Sequence, residues 1–208
     1  MKTTVIFCDK SNALSTAKCA LKQSGIIAFP TDTVYGIGAL YDNPTAIKRL
    51  YKVKQRDLSK AIAILVSDMQ QLSQVVLQLT EAAHRLARRF WPGALTIVLE
   101  KHPSLPKNLS PFKTIGVRMP DHPFALALIS QTGPLATTSA NISGGPNPTT
   151  AEEVLAQLKD RIELVLDGGK TRNVQASTVV DCSGPDIKIL RQGCISEEDI
   201  LLTLQYHD

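Results

Sequence analysis

Histidine, aromatic residues and long apolar runs are scarce in this sequence. Its four histidines (His84, His102, His122 and His207) are scattered. No H-E-x-x-H and no G-x-S-x-G string is present. That removes the sequence signatures of a helical zinc hydrolase and of a nucleophile elbow. The four cysteines, Cys8, Cys19, Cys182 and Cys194, form no C-x-x-C pair and have no histidine at ligand spacing. They read as reduced, mostly buried thiols of a cytoplasmic protein. No run approaches the roughly 20 apolar residues of a membrane helix. The N-terminal MKTTVIFCDKSN lacks a small-residue cleavage site, so neither a signal peptide nor membrane attachment is expected. Charge bias is small as well: 23 Lys+Arg against 19 Asp+Glu give +4. Nucleic-acid binders usually show a stronger basic bias.

What is present is ordinary globular composition, 43% hydrophobic over 208 residues. That length suits a single domain, 1–208, without an additional C-terminal domain. Ala13, Leu14, Ala17 and Leu21 keep helical spacing, with Gly25 as the stop. An apolar run, Ile26 to Phe29, ends at Pro30. Asn43-Pro44 reads as an N-cap and first helical residue. Ala61–Val66 reads as a strand buried on both faces. Two helices follow, the second from Thr80. Strands at Leu95–Leu99, Thr114–Met119 and Pro134–Thr138 come next, the last two bracketing a helix near Phe124–Ser130. Thr150 opens a further helix. Strands then lie at Leu164–Leu166, Thr178–Asp181 and Ile187–Leu190, and Ser196 opens a final helix. Alternating strands and helices imply an α/β domain whose sheet is mixed and largely parallel.

Two phosphate motifs fail on inspection. Gly168-Gly169-Lys170-Thr171 lacks the first P-loop glycine, whose place Leu164 takes. Gly36-Ile37-Gly38 begins a dinucleotide fingerprint that Tyr41 breaks. Those glycines fit a loop or a close backbone approach.

Four constellations remain. Pro30-Thr31-Asp32-Thr33-Val34-Tyr35-Gly36 follows a buried strand, where open α/β sheets bind ligands. A capped turn would use the same residues. Lys48 to Lys60 holds six cations against Asp57 alone. A solvated face accounts for Lys48, Arg49 and Lys52. Lys54, Arg56 and Lys60 lead into a buried strand and suit a polyphosphate. Ala136-Thr137-Thr138-Ser139-Ala140-Asn141-Ile142-Ser143-Gly144-Gly145-Pro146 ends a strand in small donors, either a polar turn or an anion-binding nest. Arg118 and Arg191 lie on apolar strands, where a guanidinium needs an anion, whether an internal carboxylate or a ligand. Basic and polar clusters at strand ends, without a nucleophile, point to electrostatic handling of phosphates.

These segments, in this order, resemble the YrdC/TsaC family of threonylcarbamoyl-AMP synthases. FPTDTVYGIGA, the K-x-R of Lys54 and Arg56 with Lys60 following, FWPGALTIVLE, IGVRMPDHPFALAL, TSANISGGPNPTTAEEV, LDGG, STVVD and ILRQG carry the resemblance across about residues 24–195. The pairing of K-x-R with the S-x-N of Ser139 and Asn141 is its most specific part. The resemblance implies a twisted open sheet with flanking helices around a deep basic cavity. It implies formation of threonylcarbamoyl-AMP and pyrophosphate from L-threonine, bicarbonate and ATP. Mg²⁺ would be carried on the phosphates. The product would pass to a tRNA threonylcarbamoyl-transferase complex that modifies adenosine 37 of tRNAs reading ANN codons.

By the same resemblance, Lys54, Arg56, Ser139 and Asn141 form the catalytic set. Lys54, Arg56, Lys60, Thr114, Ser139, Asn141 and Arg191 would bind ATP. Thr33, Arg118, Thr138 and Ser177 would surround threonine, with Arg118 on its carboxylate. The sequence departs from the family pattern at Asp57, at Lys60-Ala61-Ile62, at Leu65, where longer relatives place a histidine, and at Val174-Gln175-Ala176-Ser177-Thr178. A competing reading is a non-catalytic RNA-binding or ribosome-maturation module using the same cavity; weak tRNA binding is compatible with both. On the synthase reading, much of the +4 belongs to Lys54, Arg56, Lys60, Arg118 and Arg191 turned into one cavity.

Overall fold

The computed structural model describes residues 2–205, so His207 lies outside the described residues. In chain order the elements are β1 (Thr4–Phe7), α1 (Ala13–Lys22), β2 (Ile27–Phe29), β3 (Gly36–Leu40), α2 (Pro44–Lys54), β4 (Ala63–Leu65), α3 (Met69–Val75) and α4 (Glu81–Phe90). Next come β5 (Leu95–Glu100), a short 3₁₀ turn at Lys107–Leu109, β6 (Thr114–Arg118), α5 (Pro123–Thr132), β7 (Leu135–Ser139) and α6 (Ala151–Leu158). The chain then runs through β8 (Leu164–Asp167), β9 (Thr178–Asp181), β10 (Lys188–Arg191) and α7 (Glu197–Gln205).

The helix starts are local. Asn43 accepts from Ala46 N at 3.0 Å, with Pro44 as the first helical residue, and Thr80 accepts from Ala83 N at 3.3 Å. Thr150 and Ser196 cap α6 and α7 in the same way. The stop of α1 differs from expectation. Ser24, at φ 61°, is the left-handed residue, and Gly25 follows it, donating to Ala20 O at 2.8 Å. This is a Schellman closure shifted by one residue. A Cβ at Gly25 would lie 2.6 Å from Ala20 O, so glycine serves a close approach there.

The ten strands of the described residues join one sheet, in the order β1-β8-β2-β3-β7-β4-β6-β5-β9-β10. The sheet is mixed, as expected, but the expected parallel majority is absent. Among the described residues β1–β8, β8–β2, β4–β6 and β5–β9 are parallel, while β2–β3, β3–β7, β7–β4, β6–β5 and β9–β10 are antiparallel. The loops after β2 and after β9 are far shorter than the dozen or so residues of a parallel crossover.

Strand alternation gives the sheet two unlike faces. Ile37, Ala136, Ile64, Val117, Ile97 and Val180 pack on one face, beneath Leu50 of α2, Val75 of α3, Leu86 of α4, Val154 of α6 and Ile200 of α7. On the other, Ile27, Phe29, Leu135, Leu164 and Leu166 pack beneath Ala17 of α1 and Leu128 of α5. Both clusters are essentially dry, and burial of each large aliphatic side chain contributes roughly 1.5–3 kcal/mol. Helices α1 and α5 cover only part of their face. The rest of it carries Gly36, Thr137, Ala63, Gly116, Thr96 and Val98, small side chains that leave space above the strands.

Glycine at positions 36 and 38 belongs to strand β3, not to a loop. A Cβ at either would come within 2.9 Å of Thr137 side-chain atoms. Likewise Ala61–Val66 is not buried on both faces: Ala63 and Leu65 look into that space. The cysteines are all free, but Cys182 alone is buried; Cys8 is half-buried and Cys19 and Cys194 are exposed, so the expectation of mostly buried thiols fails. Cys19 sits opposite the Ala13-Ala17-Leu21 stripe of α1. No helix among the described residues is long and apolar enough to cross a membrane.

Candidate active site

The uncovered part of the sheet is the floor of a cavity of about 310 Å³. Loops following β2 and β7 form one wall, and residues 176–177 with Arg191 form another. No helical residue is among those lining it.

Arg118 ends β6 on the cavity face and is 6% exposed. Its guanidinium donates to Gly93 O at 2.9 Å, to Thr33 Oγ1 at 2.9 Å and to Asp32 Oδ1. Asp32 also accepts from Asp121 N at 3.1 Å. The ionic partner of Arg118 is therefore an internal carboxylate on the Pro30–Gly36 loop. Burial pulls the Arg118 pKa down, and the Asp32 charge and hydrogen bond oppose that shift.

Arg56 and Arg191 have no such partner among the described residues. Arg56 donates to the main-chain oxygens of Lys60 at 3.3 Å and Ala61 at 2.8 Å. Arg191 donates to Ser177 O at 3.1 and 2.8 Å and to Ser177 Oγ at 3.2 Å. Among the described residues neither forms an ion pair. Burial lowers the pKa of both, and the charges of Arg118 and Arg56 lower that of Arg191 further. Three guanidiniums thus converge on one cavity with one carboxylate to offset them, an arrangement that an incoming anion relieves.

Hydroxyl groups ring the same space. Thr31, Thr33, Thr138, Ser139 and Ser177 line it, and Thr96 Oγ1 lies 2.8 Å from Ser177 Oγ. Gly193 closes this wall: a Cβ there would stand 2.3 Å from Ala176 O and 2.4 Å from Ser177 C and Thr178 N. Gly193→Ala is therefore expected to push the 176–178 backbone off Arg191. The loss should exceed 1 kcal/mol, the usual scale for a strained buried site. A urea midpoint unchanged from wild type would contradict this packing.

Of the residues nominated from sequence, the cavity brings together Thr33, Arg56, Arg118, Thr138, Ser139, Ser177 and Arg191. Lys54, Lys60, Thr114 and Asn141 do not line it. Lys60 is exposed, and Thr114 is half-buried. Asn141 is 5% exposed; it accepts from Ser139 Oγ at 2.6 Å and donates to Gly145 O at 2.6 Å. Lys54 is the last residue of α2 and is 1% exposed. Of the five cations expected to share the cavity, Arg56, Arg118 and Arg191 do so. The sequence reading named neither Asp32 as the partner of Arg118 nor Thr96 and Asn147 as lining residues. A lone threonine inside the apolar strand Leu95–Leu99 is the signal that marks Thr96.

Burial, with the Arg56 charge beside it, pushes the Lys54 ammonium from 10.5 down to about 7. The unfolded chain then holds that proton more tightly than the folded one. Lys54's contribution to stability accordingly rises with pH between about 7 and 10.5 and is flat below. Urea unfolding of wild type and Lys54→Met across this range should show a difference that grows with pH. Parallel curves would contradict the shift.

The Sua5/YciO/YrdC family model, described as "Telomere recombination", matches residues 19–193. Threonylcarbamoyl-AMP synthase of Bacillus subtilis is 42% identical over 96% of this chain and 61% of its own length. The Pyrococcus abyssi enzyme of the same name is 40% identical over 86% of this chain and 54% of its own. The crystal structure of P. abyssi Sua5 complexed with L-threonine matches with a TM-score of 0.93 at 36% identity, covering 98% of this chain and 61% of that one. E. coli YciO, at 24% identity and a TM-score of 0.87, shares the fold over 95% of this chain and 99% of its own. The chain thus spans little more than half the length of the B. subtilis and P. abyssi proteins. With a match from residue 19 to 193 and 42% identity to a relative over nearly all its residues, this chain belongs to the Sua5/YciO/YrdC family.

Proposed function

We propose that the chain is an L-threonylcarbamoyladenylate synthase, a nucleotidyltransferase acting on ATP, L-threonine and bicarbonate. The observation that carries this reading is the pair Arg56 and Arg191, two guanidiniums without a carboxylate, facing one hydroxyl-lined cavity beside Arg118. The threonine bound by the P. abyssi relative supports the amino-acid substrate.

In this reaction the threonine amine attacks the bicarbonate carbon, and water leaves as the carbamate forms. A carbamate oxygen then attacks the α-phosphorus, and the bond to the bridging oxygen breaks, releasing pyrophosphate. Arg56 and Arg191 offset the charge that gathers on the phosphates, an effect that needs no covalent intermediate. Arg118, Thr33, Thr138 and Ser177 orient the amino acid, while Ser139, its hydroxyl held by Asn141 Oδ1, orients the reacting groups.

Among the described residues no cluster of three His, Cys, Asp or Glu forms a metal site, and the Asp32 carboxylate is held by Arg118. Mg²⁺ fits here as part of the substrate, carried in on the ATP phosphates. The product, a mixed anhydride, would serve a cytoplasmic tRNA threonylcarbamoyl-transferase. The test is pyrophosphate release from MgATP and bicarbonate, with and without L-threonine. Threonine-dependent release is expected. RNA binding by a folded protein that shows no such release would favour the non-catalytic reading.

A further inference from the structure

We propose that Lys54 is a positioning residue beneath the cavity, which templates the Ser139–Ser143 turn and takes no phosphate oxygen itself. This inference rests on the synthase reading for its kinetic arm only.

The ammonium has three N–H donors and three acceptors. It donates to Ser139 O, to Asn141 O at 2.8 Å and to Asn141 Oδ1 at 2.9 Å. No donor remains for a ligand. The main chain adds a fourth tie, with Ser143 N donating to Lys54 O at 2.8 Å. All four contacts fall on one five-residue turn, so the end of α2 is sewn to the end of β7. Among the described residues no carboxylate forms an ion pair with Lys54. Its charge is solvated by carbonyls, which must therefore turn inward, away from the cavity. That fixes the Asn141 amide, and Asn141 Oδ1 in turn fixes the Ser139 hydroxyl, which does line the cavity.

The backbone explains why neighbours in the K-x-R string part company. Gln55 is left-handed, at φ 51°, and ends α2 between them. Lys54 still projects from the helix into the interior. Two residues on, Arg56 lies beyond the cap and reaches the cavity wall. The two cations thus divide the work: one shapes the turn, and the other meets the anion.

Inorganic tripolyphosphate separates these roles. Lys54→Met keeps an unbranched stem, one heavy atom shorter, and removes all three donors. Its tripolyphosphate Kd should stay within about threefold of wild type, while Arg56→Met should weaken binding about tenfold or more. In the same Lys54→Met protein, amide exchange at Ser143 should quicken, and kcat for threonine-dependent pyrophosphate release should fall roughly 10²-fold through misplacement of Ser139. Lys54→Met losing tripolyphosphate as severely as Arg56→Met, with Ser143 exchange unchanged, would overturn the proposal.

Should Lys54→Met not fold, the wild type labelled with ¹⁵N-lysine decides. The Lys54 ammonium resonance should stay in place on adding tripolyphosphate; a large shift would mean direct contact. If the wild type releases no pyrophosphate, the synthase reading falls, but the binding and exchange arms still judge Lys54.

Discussion

Replacing Arg118 with methionine is expected to destabilise the fold by about 3–5 kcal/mol. That is a large share of the roughly 5–15 kcal/mol that holds a typical domain together. The cause is what remains behind. Asp32 is 5% exposed, and without the guanidinium the Asp121 N–H is the one donor left to its carboxylate among the described residues. Gly93 O and Thr33 Oγ1 lose donors as well. The double variant Asp32→Asn/Arg118→Met leaves no buried charge, so it should be more stable than the sum of the single losses by at least about 1 kcal/mol. Urea unfolding of the four proteins measures this. Strict additivity would mean that Arg118 and Asp32 are not energetically paired.

The contrasting result is expected at Arg56. Arg56→Ala should lower kcat/KM for threonine-dependent pyrophosphate release by at least ~10²-fold while leaving the urea midpoint close to wild type. Among the described residues its hydrogen bonds go to two main-chain oxygens on the loop before β4, and it is half-buried. Little of the fold depends on it. An anion in the cavity would depend on it heavily, because no carboxylate already spends its charge. A fall of less than about threefold would remove Arg56 from the transition state.

The two arginines show how far sequence could be read. Both stand in recognisable strings; Arg118 does end a strand, β6, whereas Arg56 lies on the loop between α2 and β4. Their separate fates depend on a partner, Asp32, lying 86 residues from Arg118. No local pattern announces such a pairing. Helix starts were legible because Asn43, Thr80, Thr150 and Ser196 act within their own first turns. Strand β3 was not, since Gly-Ile-Gly-Ala carries almost none of the β-branched or aromatic signal that marks strands. It is a strand because Gly36 and Gly38 let β7 come close on one side while β2 pairs on the other. Strand β1 was missed although Thr4-Val5-Ile6-Phe7 is rich in β formers: it is a short, mostly exposed edge without in-out alternation, and it pairs with β8 far along the chain. The direction of Lys54 turns on one left-handed residue, Gln55, a type not commonly chosen for that conformation.

The cavity itself comes from incompleteness. Seven helices flank the sheet among the described residues, yet none lines the stretch of face bearing Gly116, Thr96 and Thr137. A site built this way should hold triphosphate and amino acid side by side, above the strands. A crystal structure with a non-hydrolysable ATP analogue and L-threonine tests that most directly. The phosphates should lie within hydrogen-bond distance of Arg56 and Arg191, with threonine beside Arg118, Thr33 and Ser177. Ligands bound elsewhere, leaving both unpaired arginines without an anion, would contradict it.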